Sequence, residues 1–297
     1  MTDGKPDFLT VRELAAYLRI KQRKVYALAA SGEIPCSRAT GKLLFPRESV
    51  EAWVKQHSSG GTAAGAGVEP AAVFAGSHDP LLDWALRESR AGIATFFDGS
   101  LDGLKRLGEG QAMAGGMHLY EPATEGWNVG HLAAALPDAP LVLLEWAWRE
   151  RGLIVAPDNP KAIRALADLR GLRFMPRQAE AGSQVLFAAL CEAADLAPGA
   201  IDCIDPPARS EADVALAVAD GKADAGFGLA GVARQCRLGF VPLMRERFDI
   251  AVFRRAYFTD AVQRFVAFCL TPAFAAKAKE LGGYDITGFG KVHYNGP

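Results

Sequence analysis

Small polar residues recur in this sequence where an apolar, strand-like run gives way to a helix-like segment. The three junctions of this kind are Gly76-Ser77-His78-Asp79, Asp98-Gly99-Ser100 and Ala181-Gly182-Ser183. The first turn of a helix presents unpaired backbone N–H groups, and its dipole favours negative charge. Glycine allows close backbone approach, and a serine hydroxyl adds a donor. Each junction alone is equally an ordinary helix cap, but three of them, with Arg177 ahead of the third, predict an anion site.

Two histidines accompany these junctions. His78 lies beside Asp79 and could be a pH-sensitive donor to an anion, part of a metal site or a plain junction residue. His118 ends a strand-like run whose end should face the same cleft as the junctions. Both are kept as candidate ligand contacts, and whether either touches the ligand stays open at this stage.

The signatures of common catalytic and metal sites are missing from the sequence. No H-x-x-x-H, H-E-x-x-H or cysteine-histidine cluster occurs, so a structural zinc is not expected. Gly-x-Ser-x-Gly and P-loop patterns are also absent, and no histidine base lies near Ser183 in sequence. We therefore expect a binding protein without catalytic residues, metal or cofactor rather than an enzyme.

The elements that must position these residues alternate between strand-like and helix-like patterns, which predicts an α/β layer architecture. Strands are predicted at residues 71–75, 93–97, 112–118, 141–148, 152–156, 172–176, 223–228, 241–243 and 248–253, and helices at 80–89, 101–109, 129–136, 161–168, 184–194, 213–220, 260–270 and 272–281. Small residues dominate 57–67, so residues 57–70 are predicted to be a flexible linker between a domain at 1–56 and a domain at 71–297.

The N-terminal stretch has the pattern of two short helices across a tight turn. Thr10 and Glu13 fit a capping box, and a second helix is predicted from Gln22 to the stop at Ser31-Gly32. In a helix-turn-helix the second helix enters the major groove of DNA. A hairpin with Gly41 at its turn and a third helix at residues 47–55 follow. The predicted DNA contacts are Gln22, Arg23, Lys24 and Tyr26 on the second helix and Arg38 and Lys42 near the hairpin tip.

Composition limits the remaining possibilities. The chain has 297 residues, of which 50% are hydrophobic, so a sizeable core and two domains are expected. A net charge of −1 excludes a globally basic nucleic-acid coat, so DNA contact must come from a local patch. One head with so few basic residues predicts a homodimer. Five scattered cysteines predict buried, reduced thiols, and with no signal segment or membrane-spanning run we expect a cytoplasmic location.

The N-terminal stretch resembles the excisionase/MerR-type winged helix-turn-helix. The resemblance rests on residues spread over the first fifth of the chain: Leu9-Thr10, Glu13-Leu14-Ala15, Val25-Tyr26, Gly32-Glu33-Ile34-Pro35, Phe45-Pro46, Val50 and Trp53. It implies a DNA-binding domain that contacts double-stranded DNA.

The remainder resembles a periplasmic-binding-protein-like domain, in the version fused to helix-turn-helix heads in molybdenum-related regulators and also found on some molybdopterin-biosynthesis proteins. The resemblance rests on Gly76-Ser77-His78-Asp79-Pro80, Gly99-Ser100-Leu101-Asp102-Gly103-Leu104, Gly115-Gly116-Met117-His118-Leu119, Gly152-Leu153-Ile154-Val155-Ala156-Pro157, Asn159-Pro160, Arg177-Gln178, Gly182-Ser183 and Gly221-Lys222-Ala223-Asp224-Ala225-Gly226. It implies two lobes joined by a hinge, with a small anion held between them.

This second resemblance also implies the residues of the ligand site. The stretch from Arg177 to Ser183 is similar to the arginine-then-Ser-Gly-Thr stretch of tungstate-binding proteins, with the Ser and Gly order altered. The threonine run of those proteins is absent, and Ser77-His78-Asp79 stands there instead. The implied ligand contacts are Ser77, Ser100, Arg177 and Ser183, to which we add Gly182, His78 and His118 as candidates.

The sequence thus predicts a one-component transcriptional regulator, in which a winged helix-turn-helix binds DNA and a two-lobed α/β domain senses a small oxyanion, molybdate or tungstate. One alternative is the same architecture with an organic acid or another metabolite as effector. The other is an enzyme or cofactor-handling protein of molybdopterin metabolism, which a perturbed base in the cleft would favour.

Overall fold

The computed structural model of the protein describes residues 8–18, 20–32, 34–37, 41–56, 72–197 and 199–297. The chain divides into two compact units, Met1–Ala66 and Gly67–Pro297. The predicted linker at residues 57–70 and the candidate DNA contact Arg38 lie outside the described residues.

The N-terminal unit contains the predicted helix-turn-helix. Its elements are β1 (Phe8–Thr10), α1 (Val11–Tyr17), α2 (Gln22–Ala30), β2 (Leu44–Pro46) and α3 (Arg47–Gln56), and β1 pairs antiparallel with β2. The capping box is confirmed, because the Glu13 N–H donates to Thr10 Oγ1 at 3.3 Å and the Thr10 N–H donates to Glu13 Oε2 at 2.8 Å. The core consists of buried side chains from all three helices and both strands: Leu9, Leu14, Val25, Leu28, Phe45 and Val50.

The C-terminal unit alternates strands and helices as predicted. Its elements are β3 (Val73–Gly76), α4 (Pro80–Glu88), β4 (Ala94–Phe97), α5 (Ser100–Gly108), β5 (Ala114–Met117), β6 (Tyr120–Glu121), β7 (Gly126–Trp127), α6 (Val129–Ala135), β8 (Leu141–Val155), β9 (Arg173–Met175), α7 (Gly182–Ala193), β10 (Asp202–Cys203), α8 (Glu211–Ala219), β11 (Ala225–Leu229), α9 (Ala230–Gln235), β12 (Gly239–Phe253), α10 (Arg254–Tyr257), α11 (Asp260–Cys269), α12 (Pro272–Leu281), β13 (Tyr284–Asp285) and β14 (Val292–Asn295). Strand β6 pairs antiparallel with β7, apart from the main sheet.

The main sheet of this unit runs in the order β10-β9-β11-β8-β12-β5-β3-β4. Strands β8 and β12 are antiparallel partners over almost their whole lengths. The C-terminal half of β8 also pairs with β11, whereas the C-terminal part of β12 pairs with β5. Strands β8 and β12 therefore connect the two halves of the sheet. The result is a mixed α/β, two-lobed domain: a first lobe around β3, β4 and β5, and a second lobe around β9, β10 and β11.

Each lobe has its own apolar core. In the first lobe the fully buried Trp146 stacks on Phe265, with ring centroids 5.8 Å apart, and contacts Phe274 edge-on. In the second lobe Phe174 stacks on Phe187 at 4.4 Å. These cores hold the ends of strands β3, β5 and β9 in place, and the residues that follow those strands carry the predicted site.

Two interruptions predicted from the sequence do not exist. Residues 141–148 and 152–156 were expected to be separate strands, as were 241–243 and 248–253, but each pair is one 15-residue strand, β8 and β12. The polar residues between those predicted strands, among them Arg149, Arg151 and Glu246, are buried and paired with one another across β8 and β12. Internal ion pairs make a polar stretch compatible with a buried strand.

The helix expected at residues 161–168 is also wrong, because the chain forms only a 3-10 turn at Leu166–Leu169. The Asp168 carboxylate accepts from the N–H groups of Arg164 and Ala165 at 2.8 and 3.0 Å, which replaces the hydrogen bonds of a helix. The cysteines are free, but Cys203 is exposed and Cys269 is the one in the buried class, so the expectation of buried thiols holds for one of the five.

Candidate functional site

A cavity of about 310 Å³ opens between the two lobes of the C-terminal unit. Six of the seven predicted ligand contacts line it: Ser77, His78, His118, Arg177, Gly182 and Ser183. The seventh, Ser100, is fully buried behind Ser77. This volume falls at the lower end of the range for small-molecule sites. The fold thus brings together residues that lie more than 100 positions apart in sequence.

The first-lobe wall is formed by residues that follow strands β3 and β5. Ser77 Oγ and Ser100 Oγ are 2.7 Å apart, and the His118 N–H donates to Ser100 Oγ at 3.2 Å. The Ser77 N–H donates to the Gly116 carbonyl at 2.8 Å. These polar groups are therefore bonded to one another and present a fixed, uncharged surface.

Gly99, which precedes helix α5, shows why glycine stands at this junction. Its φ is +116°, a conformation that residues with a side chain rarely adopt. A Cβ atom here would lie 2.9 Å from the Glu180 carbonyl oxygen of the second lobe. Gly182 is similarly tight, since its Cβ would lie 2.9 Å from Ser100 Oγ. The two walls are in contact at these glycines.

The His118 imidazole is held by a buried carboxylate that the sequence did not reveal as part of the site. His118 Nδ1 lies 3.0 Å from Glu246 Oε2, and the other oxygen of Glu246 contacts Arg149 and Arg151. Burial alone would raise the pKa of Glu246, but attraction to the two arginines outweighs it and the pKa falls well below its usual value. Burial lowers the pKa of His118, against the opposing pull of Glu246. A neutral imidazole beside an ionised carboxylate follows.

The second-lobe wall contains the N-termini of helices α7 and α8. Helix α7 begins at Gly182 and presents Ser183, whereas Ser210 caps α8 by accepting from the Asp213 N–H at 3.0 Å. Residues of both helix starts line the cavity. Two helix N-termini directed at one cavity create a positive potential without any side-chain charge.

Arg177 adds a side-chain charge to the second wall. Its Nε and Nη2 atoms donate to the carbonyls of Ala208 and Arg209 at 3.1 and 2.9 Å, which fixes the guanidinium. Burial lowers the pKa of Arg177, but an arginine remains charged at any physiological pH. Arg209 lies at the rim and forms a 2.8 Å ion pair with Asp98 of the first lobe.

Glu211 is the unexpected member of the lining. Its Oε1 accepts from Arg151 Nη1 at 2.8 Å and lies 3.7 Å from Arg177 Nη1, whereas its Oε2 is buried without a hydrogen-bond partner among the described residues. Burial alone would raise the pKa of Glu211, but Arg151 and Arg177 bring the pKa below its usual value. The carboxylate is therefore ionised, and its second oxygen is buried beside Gly228 of β11.

Buried charged residues lie beneath the first wall, and we call this group the floor: Asp79, Arg149, Arg151 and Glu246. The Asp79 carboxylate caps helix α4 through the Leu82 N–H at 2.8 Å and accepts from Arg149 Nη1 at 2.9 Å and from the Tyr284 hydroxyl at 2.6 Å. The neighbouring His78 lines the cavity, and its Nδ1 is buried without a partner in the described part of the chain. Within that part, no group of three or more His, Cys, Asp or Glu residues is placed to hold a metal ion.

The sequence could have revealed the charged floor through one signal. Arg149 and Arg151, two positions apart on one strand, point to the same face, and Glu246 is the acidic residue of the partner strand that meets both. Charged residues at alternate positions inside an otherwise apolar run are therefore compatible with a buried ion-pair network, and not only with a loop.

The predicted DNA contacts that fall on described residues lie on the surface of the N-terminal unit. Gln22, Arg23, Lys24 and Tyr26 are exposed on helix α2, and Lys42 is exposed beside the turn at Gly41. The inward-facing residues of the same helix, Val25, Leu28 and Ala29, are buried as expected. No helix among the described residues is both long and apolar enough to cross a lipid bilayer.

Comparison with known proteins identifies both units. Residues 8–58 match the model of a helix-turn-helix domain, and residues 83–270 match that of the PBP superfamily domain. The uncharacterized protein YvgK of Bacillus subtilis is 25% identical over 95% of this chain and 96% of its own length.

Two solved structures show the fold of the C-terminal unit. A substrate-binding protein from Clostridium perfringens with bound phosphate has a TM-score of 0.51 at 15% identity and covers 72% of this chain and 98% of its own. The tungstate ABC transporter structure from Geobacter sulfurreducens has a TM-score of 0.50 at 11% identity, covering 70% and 97%. With a family model matched over more than half of its length, the chain belongs to the PBP superfamily and carries a helix-turn-helix domain at its N-terminus.

Proposed function

We propose that the protein is a one-component transcriptional regulator that binds DNA through its N-terminal domain and senses a small oxyanion in the interlobe cavity. A helix-turn-helix domain joined to a PBP superfamily domain is the composition of a DNA-binding regulator with a ligand-binding domain. The observation that carries the effector class is the convergence of two helix N-termini, Ser77, Ser183 and Arg177 on one small cavity.

Charge supports an anion over a neutral ligand. The lining contains two guanidinium groups, those of Arg177 and Arg209, against one carboxylate, that of Glu211, and the helix N-termini and serine hydroxyls add further donors. Molybdate and tungstate are the members of the oxyanion class that the sequence resemblance implies. A binding role for the cavity is favoured over a catalytic one, because the His118 ring bonds to Glu246 and to no serine of the described residues.

Calorimetric titration of the full chain with molybdate, tungstate, sulfate and phosphate tests the effector class. We expect one of the four to bind with a 1:1 stoichiometry per chain, and Arg177→Ala to weaken that binding. If none binds, the oxyanion proposal fails, and an organic acid or another metabolite becomes the effector to search for.

DNA binding is tested at helix α2. Replacing both Arg23 and Lys24 by alanine removes two exposed cations. The slope of log affinity against log salt should therefore become less steep by about 1.8, since each phosphate contact contributes about 0.9. Gel-shift titrations on the gene's own upstream region across a salt series measure it. The double variant Arg164→Ala and Arg170→Ala, which removes two exposed cations from the C-terminal unit, is the control and should leave the slope unchanged. An unchanged slope in the α2 variant contradicts the proposal.

We also propose that two copies act together. A single head of this size reads a short half-site, so useful specificity requires a second head on a repeated sequence. Sedimentation velocity at micromolar concentration, with and without DNA, should give a dimer, and a monomer under both conditions would contradict this.

A further inference from the structure

The proton of the His118 imidazole has a fixed place. One oxygen of Glu246 accepts from Arg149 and forms an ion pair with Arg151 at 2.7 Å, so the carboxylate is ionised and its other oxygen, 3.0 Å from His118 Nδ1, can only accept. In a neutral imidazole the proton therefore lies on Nδ1. The opposite nitrogen, Nε2, is then a hydrogen-bond acceptor with a free lone pair.

His118 Nε2 is directed at the cavity. The Cε1–Nε2 edge of the ring lies within 3.0 Å of the position that a Gly182 Cβ would occupy, and Gly182 and His118 line the same cavity. No described residue donates a hydrogen bond to Nε2. A 180° turn of the ring would put Cδ2 in place of Nδ1 and lose the contact with Glu246, so the orientation of the ring, which also stacks on Phe248 with centroids 5.7 Å apart, is fixed.

This acceptor favours a ligand that brings a donor. A buried acceptor that receives no hydrogen bond from a ligand carries the full cost of desolvation. A ligand that offers only acceptor oxygens would therefore meet Nε2 unfavourably.

We propose that His118 selects an oxyanion that carries its own O–H, so that the effector is a protonated oxyanion of the hydrogen phosphate type. Molybdate, tungstate and sulfate have no proton at neutral pH and could not donate to Nε2. The inference rests on the proposed function, because it names the oxyanion that the same cavity takes. Arg177 and the helix N-termini bind the charged oxygens, and the protonated oxygen faces His118.

A pair of ligands of equal charge tests the proposal without any mutation. At pH 8 hydrogen phosphate and fluorophosphate are both tetrahedral dianions of nearly the same size, but only hydrogen phosphate has an O–H. Calorimetry on the full chain should give a preference for hydrogen phosphate on the order of tenfold to a hundredfold, the cost of leaving one buried acceptor without a donor.

The variant His118→Gln isolates the acceptor. A glutamine amide can present either its oxygen or its NH₂ group, so it should accept both ligands and reduce the preference to about threefold or less. His131→Gln is the matched control: its ring bonds to the Tyr120 carbonyl outside the cavity, and it should keep the parent's preference. Circular dichroism checks that both variants are folded.

The outcomes separate the two proposals. Equal binding of hydrogen phosphate and fluorophosphate by the parent, or tighter binding of molybdate, tungstate or sulfate, overturns the role of His118 and leaves the oxyanion sensor standing. Failure of every oxyanion to bind overturns the sensor itself. If His118→Gln misfolds, the two ligands compared on the parent still decide the matter.

Discussion

The two walls of the cavity are built in opposite ways. On the first-lobe wall Ser77, Ser100 and the His118 N–H are bonded to one another, and every group is neutral. On the second-lobe wall Arg177 is charged, and two helices direct their N-termini at the ligand space. Under the proposed function, the second wall attracts the anion and the first wall fixes its position.

Both walls rest on the same floor of buried charges, and removing Arg149 should have the largest effect of all. Arg149 joins Asp79 to Glu246 and is 1% exposed, so Arg149→Ala leaves two buried carboxylates short of a partner. We expect a loss of about 3–5 kcal/mol in the free energy of unfolding. Urea denaturation followed by tryptophan fluorescence measures it.

The control for the floor is an exposed ion pair on the same domain. Arg173 pairs with Asp224 at 3.0 Å with its own side chain 48% exposed, so Arg173→Ala should cost at most about 1 kcal/mol. Equal losses in the two variants would mean that the buried network is no more important to stability than a surface pair.

The next effect sharpens the contrast between the walls. Arg177→Ala removes the fixed charge of the second wall, and a charge-assisted hydrogen bond contributes about 1.5–3 kcal/mol, which is roughly ten- to a hundredfold in affinity. Calorimetry with the oxyanion that binds the parent best measures the loss. Arg209→Ala, at the exposed rim, should lose much less, and the reverse order would place the attraction at the rim instead.

The smallest effect belongs to the first wall. Ser100→Ala deletes one neutral hydroxyl that holds Ser77 and the His118 N–H, so affinity should fall by about 1 kcal/mol, roughly fivefold. The same calorimetry applies, with Ser89→Ala at the end of helix α4 as the control that should bind like the parent. A loss as large as that of Arg177→Ala would remove the proposed division between the walls.

What could be predicted from the sequence follows the range of the interactions. The limits of helix α2 and the Thr10–Glu13 cap depend on neighbours within four positions, and the sequence was sufficient to find them. The serine junctions were also found, because each is a local strand-to-helix pattern. Glu246 and Glu211 were not, because their partners Arg149, Arg151 and His118 lie 60 to 128 positions away.

The same cause explains the two strands that were predicted as four. Arg149 and Glu246 look like residues of exposed loops when each is considered alone, and only their pairing across β8 and β12 makes them interior residues. A sequence pattern records the polarity of a residue but not the charge that will stand opposite it.

The two lobes are connected by the strands β8 and β12, which remain hydrogen-bonded to each other along the crossing. A pair of hydrogen-bonded strands is stiffer than a single-chain loop, because bending it also strains the hydrogen bonds between the strands. The register of this pairing shifts between Pro242 and Met244 and between Phe248 and Asp249, and irregularities of this kind bend a strand locally and increase its twist. Any change in the angle between the lobes must deform this pair of strands. The affinity for a ligand therefore depends on the stiffness of β8 and β12 as well as on the shape of the cavity.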